Sequence, residues 1–426
     1  MSDSVVAVGE QTAAGVTLFG KNSDRPAGEC QAFVQFSEAN HPPEAMQDCT
    51  HISIPQVAET YRVMGHSPWW SWGFEHGVNE YAVAIGCQRI FSNEAIEAQP
   101  GLIGMDLVRL GLERGRSARE ALEIIAGLIE RYGQGGPSFA LGATGDHNAF
   151  LLADPIEAWL LETSNRRWAA RRCTLDGVSN HHAIGSDWEF GSRDLVDFAR
   201  LAGLWPRSSR LNVAVAYRSA AVDPLTSEGR QRRSSELLVK ASGRHDVATL
   251  QRLLRDHLDA GATWPGSSTP DEERHYTLCA HSEPLHWTTA SIVAPLPRNR
   301  KAPWPIWISF GTPCTGIFLP VYLSGAIPAV LARGGEEPRG DSAWWTFKRL
   351  QDAVSRDPER AAPIVRGGWA EFEDPLERAR LVAEESARGA AATGDRDRAA
   401  REVTEFMDWA VDAALDRAEM LRERIQ

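Results

Sequence analysis

The serine at the second position of the chain is the residue from which the most specific chemistry follows. If Met1 is removed, the α-amine of Ser2 becomes free and lies close to its own hydroxyl. An α-amine has a pKa of about 7.7–8.0, against about 10.4 for a lysine, so it can act as a general base near neutral pH. A hydroxyl and an N-terminal amine form a recognised activated pair. Ser2 is therefore a candidate nucleophile, whereas a solvated terminus is the ordinary alternative.

Residues 20–25, with the sequence Gly-Lys-Asn-Ser-Asp-Arg, carry charged groups suited to such a nucleophile. Asp24 is expected to orient the α-amine and to stabilise its charged form; an aspartate that caps a turn is the alternative. Lys21 is expected to stabilise the acyl oxygen or to bind a substrate carboxylate as a point charge, unless it faces solvent. Arg25 is a further candidate for a substrate carboxylate.

Further candidates for contact with a substrate lie downstream. Residues 86–88 follow a buried apolar run, so their backbone is a candidate donor to an oxyanion, with Cys87 and Gln88 beside the substrate. His181 is expected to touch the substrate or to lie in an ordinary loop.

Three tryptophans crowd the short segment between Pro68 and Gly73. Aromatic clusters usually belong to a hydrophobic core. The flanking proline and glycine favour a loop, so Trp70 and Trp72 are candidates for the wall of a pocket for an apolar acyl group.

Six cysteines are scattered along the chain, none of them in a CxxC pair. A metal ion or a Cys–His pair could be considered at Cys87, Cys279 and His281. Their number and their spacing along the chain do not match a zinc site. No metal or other cofactor is predicted, because the base belongs to the chain itself. Scattered single cysteines and an N-terminus without the pattern of a signal peptide favour a cytoplasmic location.

Composition argues against two classes of partner. The 426-residue chain has a net charge of −12, which is unlike a protein that binds nucleic acid. Residues 302–332 are uncharged and long enough to span a bilayer, but five prolines interrupt them, so buried strands and turns are predicted, and no membrane. The charged C-terminal region offers a surface for self-association, and a homo-oligomer is one prediction.

Apolar patterns predict the elements that position these residues. Strands are predicted at 4–9, 15–20, 33–36, 81–85, 149–153, 158–162 and 168–172. Helices are predicted over 101–132 (two helices, the second starting at a Ser-Ala-Arg-Glu capping box over 117–120), 194–202, 246–260, one within 206–243, and 341–426. Groups of predicted strands precede and follow pairs of predicted helices, and strands and helices do not alternate one by one along the chain. This order favours antiparallel sheets with helices packed outside them.

The chain resembles the secernin and dipeptidase A family, a branch of the N-terminal nucleophile hydrolases. The resemblance runs over roughly residues 2–325 and rests on many segments in order: 2–7, 19–25, 72–80, 104–114, 132–136, 157–163, 179–180 and 288–291. It implies an α+β fold, a four-layer αββα sandwich of two antiparallel sheets. It also implies a domain over residues 2–335, with a helical C-terminal extension over residues 341–426 packed on it.

The family's nucleophile is a cysteine, and this chain has Ser2 in its place. The resemblance also implies that Asn180 donates to the oxyanion, a role that suits a side-chain amide; an asparagine in a turn at a strand end is the alternative. The resemblance implies an amidohydrolase that cleaves a dipeptide or another small amide, such as an N-acyl amino compound, through an acyl-enzyme. The alternatives are an acyltransferase working at the same site, a catalytically silent interaction protein, and an engineered cysteine-to-serine variant.

Overall fold

The computed structural model describes residues 2–140, 145–222, 225–258, 277–282 and 286–426. The strands among them are β1 (Ser2–Ala7), β2 (Thr17–Arg25), β3 (Gln31–Phe36), β4 (Ala39–Asn40), β5 (Met46–Asp48), β6 (Ser53–Pro55), β7 (Glu59–Thr60), β8 (Val63–Pro68), β9 (His76–Asn79), β10 (Ala84–Ile90), β11 (His147–Ala153), β12 (Ala158–Ser164), β13 (Arg167–Cys173), β14 (Leu175–Val178), β15 (Phe190–Gly191), β16 (His281–Ser282), β17 (His286–Leu296), β18 (Ile306–Phe310) and β19 (Leu319–Val321). The α-helices among them are α1 (Gly104–Arg114), α2 (Ala118–Tyr132), α3 (Leu195–Leu201), α4 (Val213–Tyr217), α5 (Leu225–Lys240), α6 (Val247–Leu254), α7 (Ala329–Ala332), α8 (Ala343–Arg356), α9 (Pro358–Ala392) and α10 (Arg396–Ile425).

Two large sheets form the centre of the molecule. The seven-stranded sheet has the order β14-β1-β2-β17-β18-β19, with β16 paired to β17, and the eight-stranded sheet has the order β15-β13-β12-β11-β10-β9-β8-β3. Their strands pair antiparallel. Two short hairpins, β4-β7 and β5-β6, lie outside these sheets.

Alternation along β1 shows what covers the two faces of the seven-stranded sheet, because successive side chains on a strand point to opposite sides. Val6 belongs to the apolar cluster that also contains Phe19 of β2 and Leu151 of the eight-stranded sheet. Val5 packs on the other side, in a cluster with Leu250 of α6. One face of this sheet therefore packs on the second sheet, and the other face is covered by helices.

The eight-stranded sheet is covered in the same way on its outer face. Ile85 and Leu152 share an apolar cluster with Leu107 of α1 and Ile125 of α2. The layers follow the order helix, sheet, sheet, helix, which confirms the predicted αββα sandwich. Only half of the predicted capping box is present: the Ser117 hydroxyl accepts a hydrogen bond from the Glu120 amide at 3.1 Å, but the Glu120 carboxylate accepts from the Arg116 amide at 2.8 Å.

The C-terminal region forms three helices, α8, α9 and α10, that pack against the sandwich. The indole of Trp344 donates to the Thr289 carbonyl at 2.9 Å, and that of Trp369 donates to the Thr315 carbonyl at 2.9 Å. Their apolar side chains belong to the same cluster as those between the sheets. The division of the chain into residues 2–335 and 341–426 stays a prediction.

The uncharged run over 302–332 contains β18, β19, a short helix (α7) and turns, much as its prolines predict. Among the helices of the described residues, none has the length and apolarity needed to cross a membrane.

Three segments differ from the sequence-based prediction. The strand predicted at 15–20 continues to Arg25, so the charged motif lies on β2 itself. The region 206–243 contains two helices, α4 and α5, instead of one. The predicted strand at 81–85 begins only at Ala84, because a turn after Asn79 places Ala82 at a φ of 57°.

Asn79 holds this turn and the end of α1 together through four hydrogen bonds. Its Nδ2 donates to the carbonyls of Leu112 at 2.9 Å and Gly115 at 2.7 Å, and its Oδ1 accepts from the amides of Tyr81 at 2.9 Å and Val83 at 3.0 Å. The side chain is fully buried. A buried polar group that loses its partner costs about 1–3 kcal/mol.

We expect Asn79→Ala to lower the free energy of unfolding by about 3 kcal/mol, because several buried backbone groups lose their partner at once. Urea unfolding followed by circular dichroism measures the effect. Asn40→Ala, at an exposed position of β4, is the matched control. Equal unfolding midpoints for the two variants would contradict the assignment.

Candidate active site

Ser2 opens β1, between β14 and β2, and lies opposite Ser23 in the register with β2. Its side chain is buried. The Ser2 nitrogen donates to Oδ1 of Asn180 at 2.7 Å, and the Ser2 hydroxyl accepts from the backbone amide of Asp24 at 3.2 Å. The strand pairing thus brings the predicted residues Ser2, Asp24 and Asn180 together.

Asn180 follows β14, the strand on the other side of β1. Its Oδ1 accepts from the Ser2 nitrogen and also from Nη2 of Arg230, the latter at 2.8 Å. Its Nδ2 donates to the carbonyl of Arg89 at 2.7 Å. Two donors on one side and a carbonyl on the other fix the orientation of the amide.

Arg230 is the most important residue of the site that sequence reasoning missed. It lies on α5, is 1% exposed, and donates to the Ser179 hydroxyl at 2.9 Å. Its Nη1 lies 3.4 Å from Oδ2 of Asp3 and 3.5 Å from Oδ2 of Asp24. One buried cation therefore serves two buried carboxylates. An arginine-rich stretch of sequence carries no signal that singles out this one.

Asp24 is buried and accepts a hydrogen bond from the Thr288 hydroxyl at 2.7 Å. Burial raises the pKa of Asp24 to about 6; Asp3 acts in the same direction, whereas Arg230 opposes the shift. Burial likewise raises the pKa of Asp3, again against Arg230. Arg230 thus lowers the pKa of both carboxyl groups and helps to keep this pair charged.

Lys21 lies fully buried between the sheets and does not face solvent. Its ammonium donates to Oε2 of Glu75 at 3.1 Å. Arg25 reaches the same carboxylate, with Nη1 3.3 Å from Oε1 of Glu75, and its Nε donates to Glu29 at 2.6 Å. Burial raises the pKa of Glu75, but Lys21 and Arg25 outweigh it, and the pKa stays below its ordinary value.

A small cavity of about 30 Å³ opens beside Ser2. Its lining residues are Ser2, Asp24, Arg25, Glu75, Cys87, Arg89, Gly104, Met105, Ser138, Phe139, Asp146, Asn148 and Asn180. A water molecule needs about 10–15 Å³ of such volume, so roughly two water molecules fit. Charges of both signs line this small space.

One side of the cavity is closed by contacts between residues far apart in sequence. The Arg25 guanidinium lies 4.1 Å from the centre of the Phe139 ring and donates to the Ser138 carbonyl at 2.7 Å. Asp146 forms an ion pair with Arg89 and accepts a hydrogen bond from the Ser138 hydroxyl. No motif in the sequence points to these residues.

The N-terminus of α1 forms another side, with Gly104 and Met105. A Cβ at residue 104 would overlap Oδ1 of Asn148, so glycine allows the helix to approach β11 closely. The first turn of a helix carries a partial positive charge and unpaired amides, which favour an anion. The sequence marked this segment only as part of the family resemblance.

The predicted aromatic pocket wall does not form. Trp70 and Trp72 pack on the apolar cluster beneath α1 and are not among the described residues that line the cavity. The Arg109 guanidinium lies 4.1 Å from the centre of the Trp72 ring and donates to its carbonyl at 2.9 Å. The sequence could not show that this loop turns toward a helix.

Cys87 lines the cavity, but its backbone amide donates to the Glu75 carbonyl at 3.2 Å and is not the second oxyanion donor predicted for residues 86–88. Gln88 turns into the space between the sheets and donates to the Ser4 hydroxyl. His181 is buried outside the described lining of the cavity, and burial lowers its pKa to about 4.

Replacing Arg230 by methionine should destabilise the protein in a pH-dependent way. Without the guanidinium, the pKa values of Asp3 and Asp24 rise further above the unfolded value of about 3.9. A carboxyl whose pKa is higher in the folded state contributes stability at low pH and loses it as pH rises. We expect the loss to be small near pH 5 and about 3–5 kcal/mol near pH 8.

Urea unfolding at several pH values measures this dependence. Arg398→Met removes an exposed guanidinium paired with Glu402 on α10 and should cost less than about 1 kcal/mol at every pH. A loss for Arg230→Met that is independent of pH would contradict the assigned role.

The chain has distant similarity to known proteins. Three solved structures are similar to the chain: a mutant conjugated bile acid hydrolase from Clostridium perfringens (14% identity, 73% of this chain and 89% of that chain, TM-score 0.40), penicillin V acylase from Agrobacterium tumefaciens (12%, 72% and 82%, 0.40) and an N-acylethanolamine-hydrolyzing acid amidase orthologue from Caenorhabditis elegans (12%, 70% and 94%, 0.33). Similarity this distant carries no information on substrate. The sequence model of peptidase family C69 matches residues 5–221, half of the chain, and the protein belongs to this family.

Proposed function

We propose that this protein hydrolyses a small amide, foremost a dipeptide, through an acyl-enzyme on Ser2 after the residue before it has been removed. One observation carries the proposal. The Ser2 nitrogen and hydroxyl are each held by a hydrogen bond, to Asn180 and from Asp24, beside a polar cavity. A residue that serves as both nucleophile and base needs both atoms fixed in this way.

The reaction begins when the neutral α-amine takes the proton of the Ser2 hydroxyl, directly or through one water molecule. The Ser2 oxygen then attacks the substrate carbonyl and forms a tetrahedral intermediate. The C–N bond breaks as the protonated amine gives its proton to the leaving nitrogen. Water, activated by the same amine, hydrolyses the ester and releases the acid.

Asn180 and Asp24 have distinct parts in this sequence. The Asn180 oxygen orients the α-amine, and one hydrogen of its Nδ2 is directed to the Arg89 carbonyl. An amide nitrogen carries two hydrogens, so the second is the donor proposed for the oxyanion. The Asp24 amide donates to Ser2 Oγ and stabilises negative charge that develops there before attack.

The walls of the cavity favour a substrate with charged ends. Arg25 and the first turn of α1 provide positive charge for a carboxylate, and Glu75 and Asp146 provide negative charge for an ammonium. A dipeptide carries both groups, whereas a long apolar acyl chain would meet these charges without compensation. Because the cavity is small, binding requires side chains to move, and Arg89, with a side chain 37% exposed, is one that can.

Ser2→Ala should abolish turnover while the protein stays folded, because both the acyl-enzyme and the hydroxyl are lost. Ser4→Ala, on the same face of β1 but beside Gln88 and outside the described lining of the cavity, should keep activity within a few-fold. The measurements are dipeptide hydrolysis by amine release and intact mass, which should show Met1 absent and an adduct of an acylating probe on Ser2.

Retention of Met1 in active protein would refute the mechanism. Ser2→Cys introduces the nucleophile that the family resemblance implies. A large rise in activity would identify Ser2 as an engineered or decayed site, and a modest change would identify it as the native nucleophile.

A free carboxylate on the substrate should matter through Arg25. We expect the C-terminal amide of a good dipeptide to be hydrolysed with a kcat/KM lower by about tenfold to hundredfold, which corresponds to about 1.5–3 kcal/mol for a charged hydrogen bond. Arg25→Gln should erase most of that difference. Arg62→Gln, an exposed arginine paired with Glu38, should leave it unchanged. Equal rates for both substrates with the wild-type protein would contradict this recognition.

A further inference from the structure

A second group of reactive side chains lies away from Ser2, on the other side of Thr288. His257, Cys279, His281 and Cys314 bring four donor atoms together, all within 4.8 Å of one another. We call them the two-cysteine, two-histidine cluster. Neither the reaction proposed for Ser2 nor the family resemblance uses these residues.

The members of the cluster come from three segments that the fold brings together. His257 follows α6, Cys279 and His281 lie at the strand β16, and Cys314 lies in the turn between β18 and β19. The sequence-based argument against a metal paired Cys279 and His281 with Cys87, which lines the other cavity instead. Spacing along the chain carried no signal, because His257 and Cys314 lie 24 and 33 residues from His281.

Three distances in the cluster, all from Nε2 of His281, are close to those around a tetrahedral zinc ion. Nε2 of His281 lies 3.3 Å from Sγ of Cys279, 3.3 Å from Sγ of Cys314 and 3.1 Å from Nε2 of His257. Zinc bonds of about 2.3 Å to sulfur and about 2.0–2.1 Å to nitrogen separate sulfur from nitrogen by roughly 3.5 Å, and two nitrogens by roughly 3.3 Å. The other three donor atoms therefore lie at distances from Nε2 of His281 that are expected when all four bind one metal ion.

The donor set also selects the class of metal. Thiolate and imidazole are soft or borderline ligands that suit zinc, and the cluster contains no carboxylate of the kind that calcium or magnesium prefers. Two thiolates and two neutral imidazoles balance the charge of one divalent ion, and binding releases the two thiol protons. A neutral complex is compatible with burial and with the nearby guanidinium of Arg366, which donates to the Cys314 carbonyl at 3.0 Å.

A cavity of about 420 Å³ gives access to the cluster from outside. His257 and Cys314 line it, together with Arg366 and Trp369. An ion can therefore reach the donor atoms without unfolding of the sandwich.

We propose that His257, Cys279, His281 and Cys314 bind one zinc ion, and that this ion is structural. Four protein ligands close the coordination sphere, which is typical of structural zinc and leaves no position for a substrate. The ion joins the end of α6, β16 and the turn after β18.

Hydrogen bonds of Thr288 link the cluster to the candidate active site. Between Cys279 and His281, the first residue of β16, the Ala280 amide donates to the Thr288 hydroxyl at 2.9 Å, and the Thr288 amide donates to the Ala280 carbonyl at 3.1 Å. The same hydroxyl donates to Asp24. Fixing β16 therefore fixes Thr288, and through it the carboxyl group of Asp24.

The test uses the full-length protein. Elemental analysis by mass spectrometry, after addition of zinc and desalting, should give about one zinc per chain for the wild type and for Cys173→Ser, a control at a buried cysteine outside the cluster. The double variant Cys279→Ser with Cys314→Ser should lose at least nine-tenths of the bound zinc. Cobalt substitution of the wild type should give a thiolate-to-cobalt charge-transfer band that the double variant lacks.

A measurement on the wild type alone keeps the test decisive if the double variant does not fold. Titration with an organomercurial should release one equivalent of zinc, detected with a chromogenic chelator, and lower the thermal unfolding midpoint. Wild-type protein that holds no zinc after reconstitution would overturn the proposal. So would an intact mass lower by two hydrogens that maps to a Cys279–Cys314 disulfide.

Discussion

The oxygen of the Asn180 side chain accepts hydrogen bonds from the nitrogen of Ser2 and from Arg230, and the arrangement of the site depends on this one atom. It joins three elements, because Ser2 opens β1, Asn180 follows β14 and Arg230 lies on α5. A buried acceptor shared by two donors has one orientation, and this orientation directs the amide nitrogen of Asn180 to the other side. The position of the Ser2 nitrogen and that of the proposed oxyanion donor are therefore set together.

Several charged side chains are buried in and around the candidate site, and positive and negative groups are paired there. This pairing holds the charged side chains in position. Arg230 faces Asp3 and Asp24, while Lys21 and Arg25 share Glu75. Buried ions are costly when they are unpaired, so each of these residues holds its partner in a defined geometry. Such pre-organised charges suit a reaction in which charge moves from a hydroxyl to a carbonyl oxygen. The proposed zinc ion belongs to the same scheme, since Thr288 links its ligand strand to Asp24.

The sequence predicted those parts of the fold and site that depend on local patterns or on the family resemblance. It did not predict those that depend on contacts between distant segments. Ser2 and Asp24 were expected to lie together on the chemistry of their side chains and the family resemblance, and the pairing of β1 with β2 does bring them within hydrogen-bond distance. The αββα layers followed from the family resemblance. Arg230 was missed because its role depends on how α5 packs over the sheet, which no local pattern encodes. Trp70 and Trp72 were placed in a pocket, although composition alone could not decide between pocket and core. The two-cysteine, two-histidine cluster could not be predicted from the sequence either. Its four residues are far apart along the chain and come together only when the sandwich forms.

The pairing of β1 on both sides has a consequence for maturation of the chain. Six residue pairs with β2 and four with β14 fix the register, so Ser2, Ser4 and Val6 face the second sheet while Asp3 and Val5 face the helices. A strand cannot slide by one residue without turning every side chain to the opposite face. Under the proposed mechanism, an aminopeptidase that trimmed one residue too many would remove the nucleophile and leave an aspartate with its carboxyl directed at Arg230. Under this mechanism, cleavage at two neighbouring positions would give a mixture of active and inactive molecules. The specific activity of a preparation would then measure the fraction of chains that begin at Ser2.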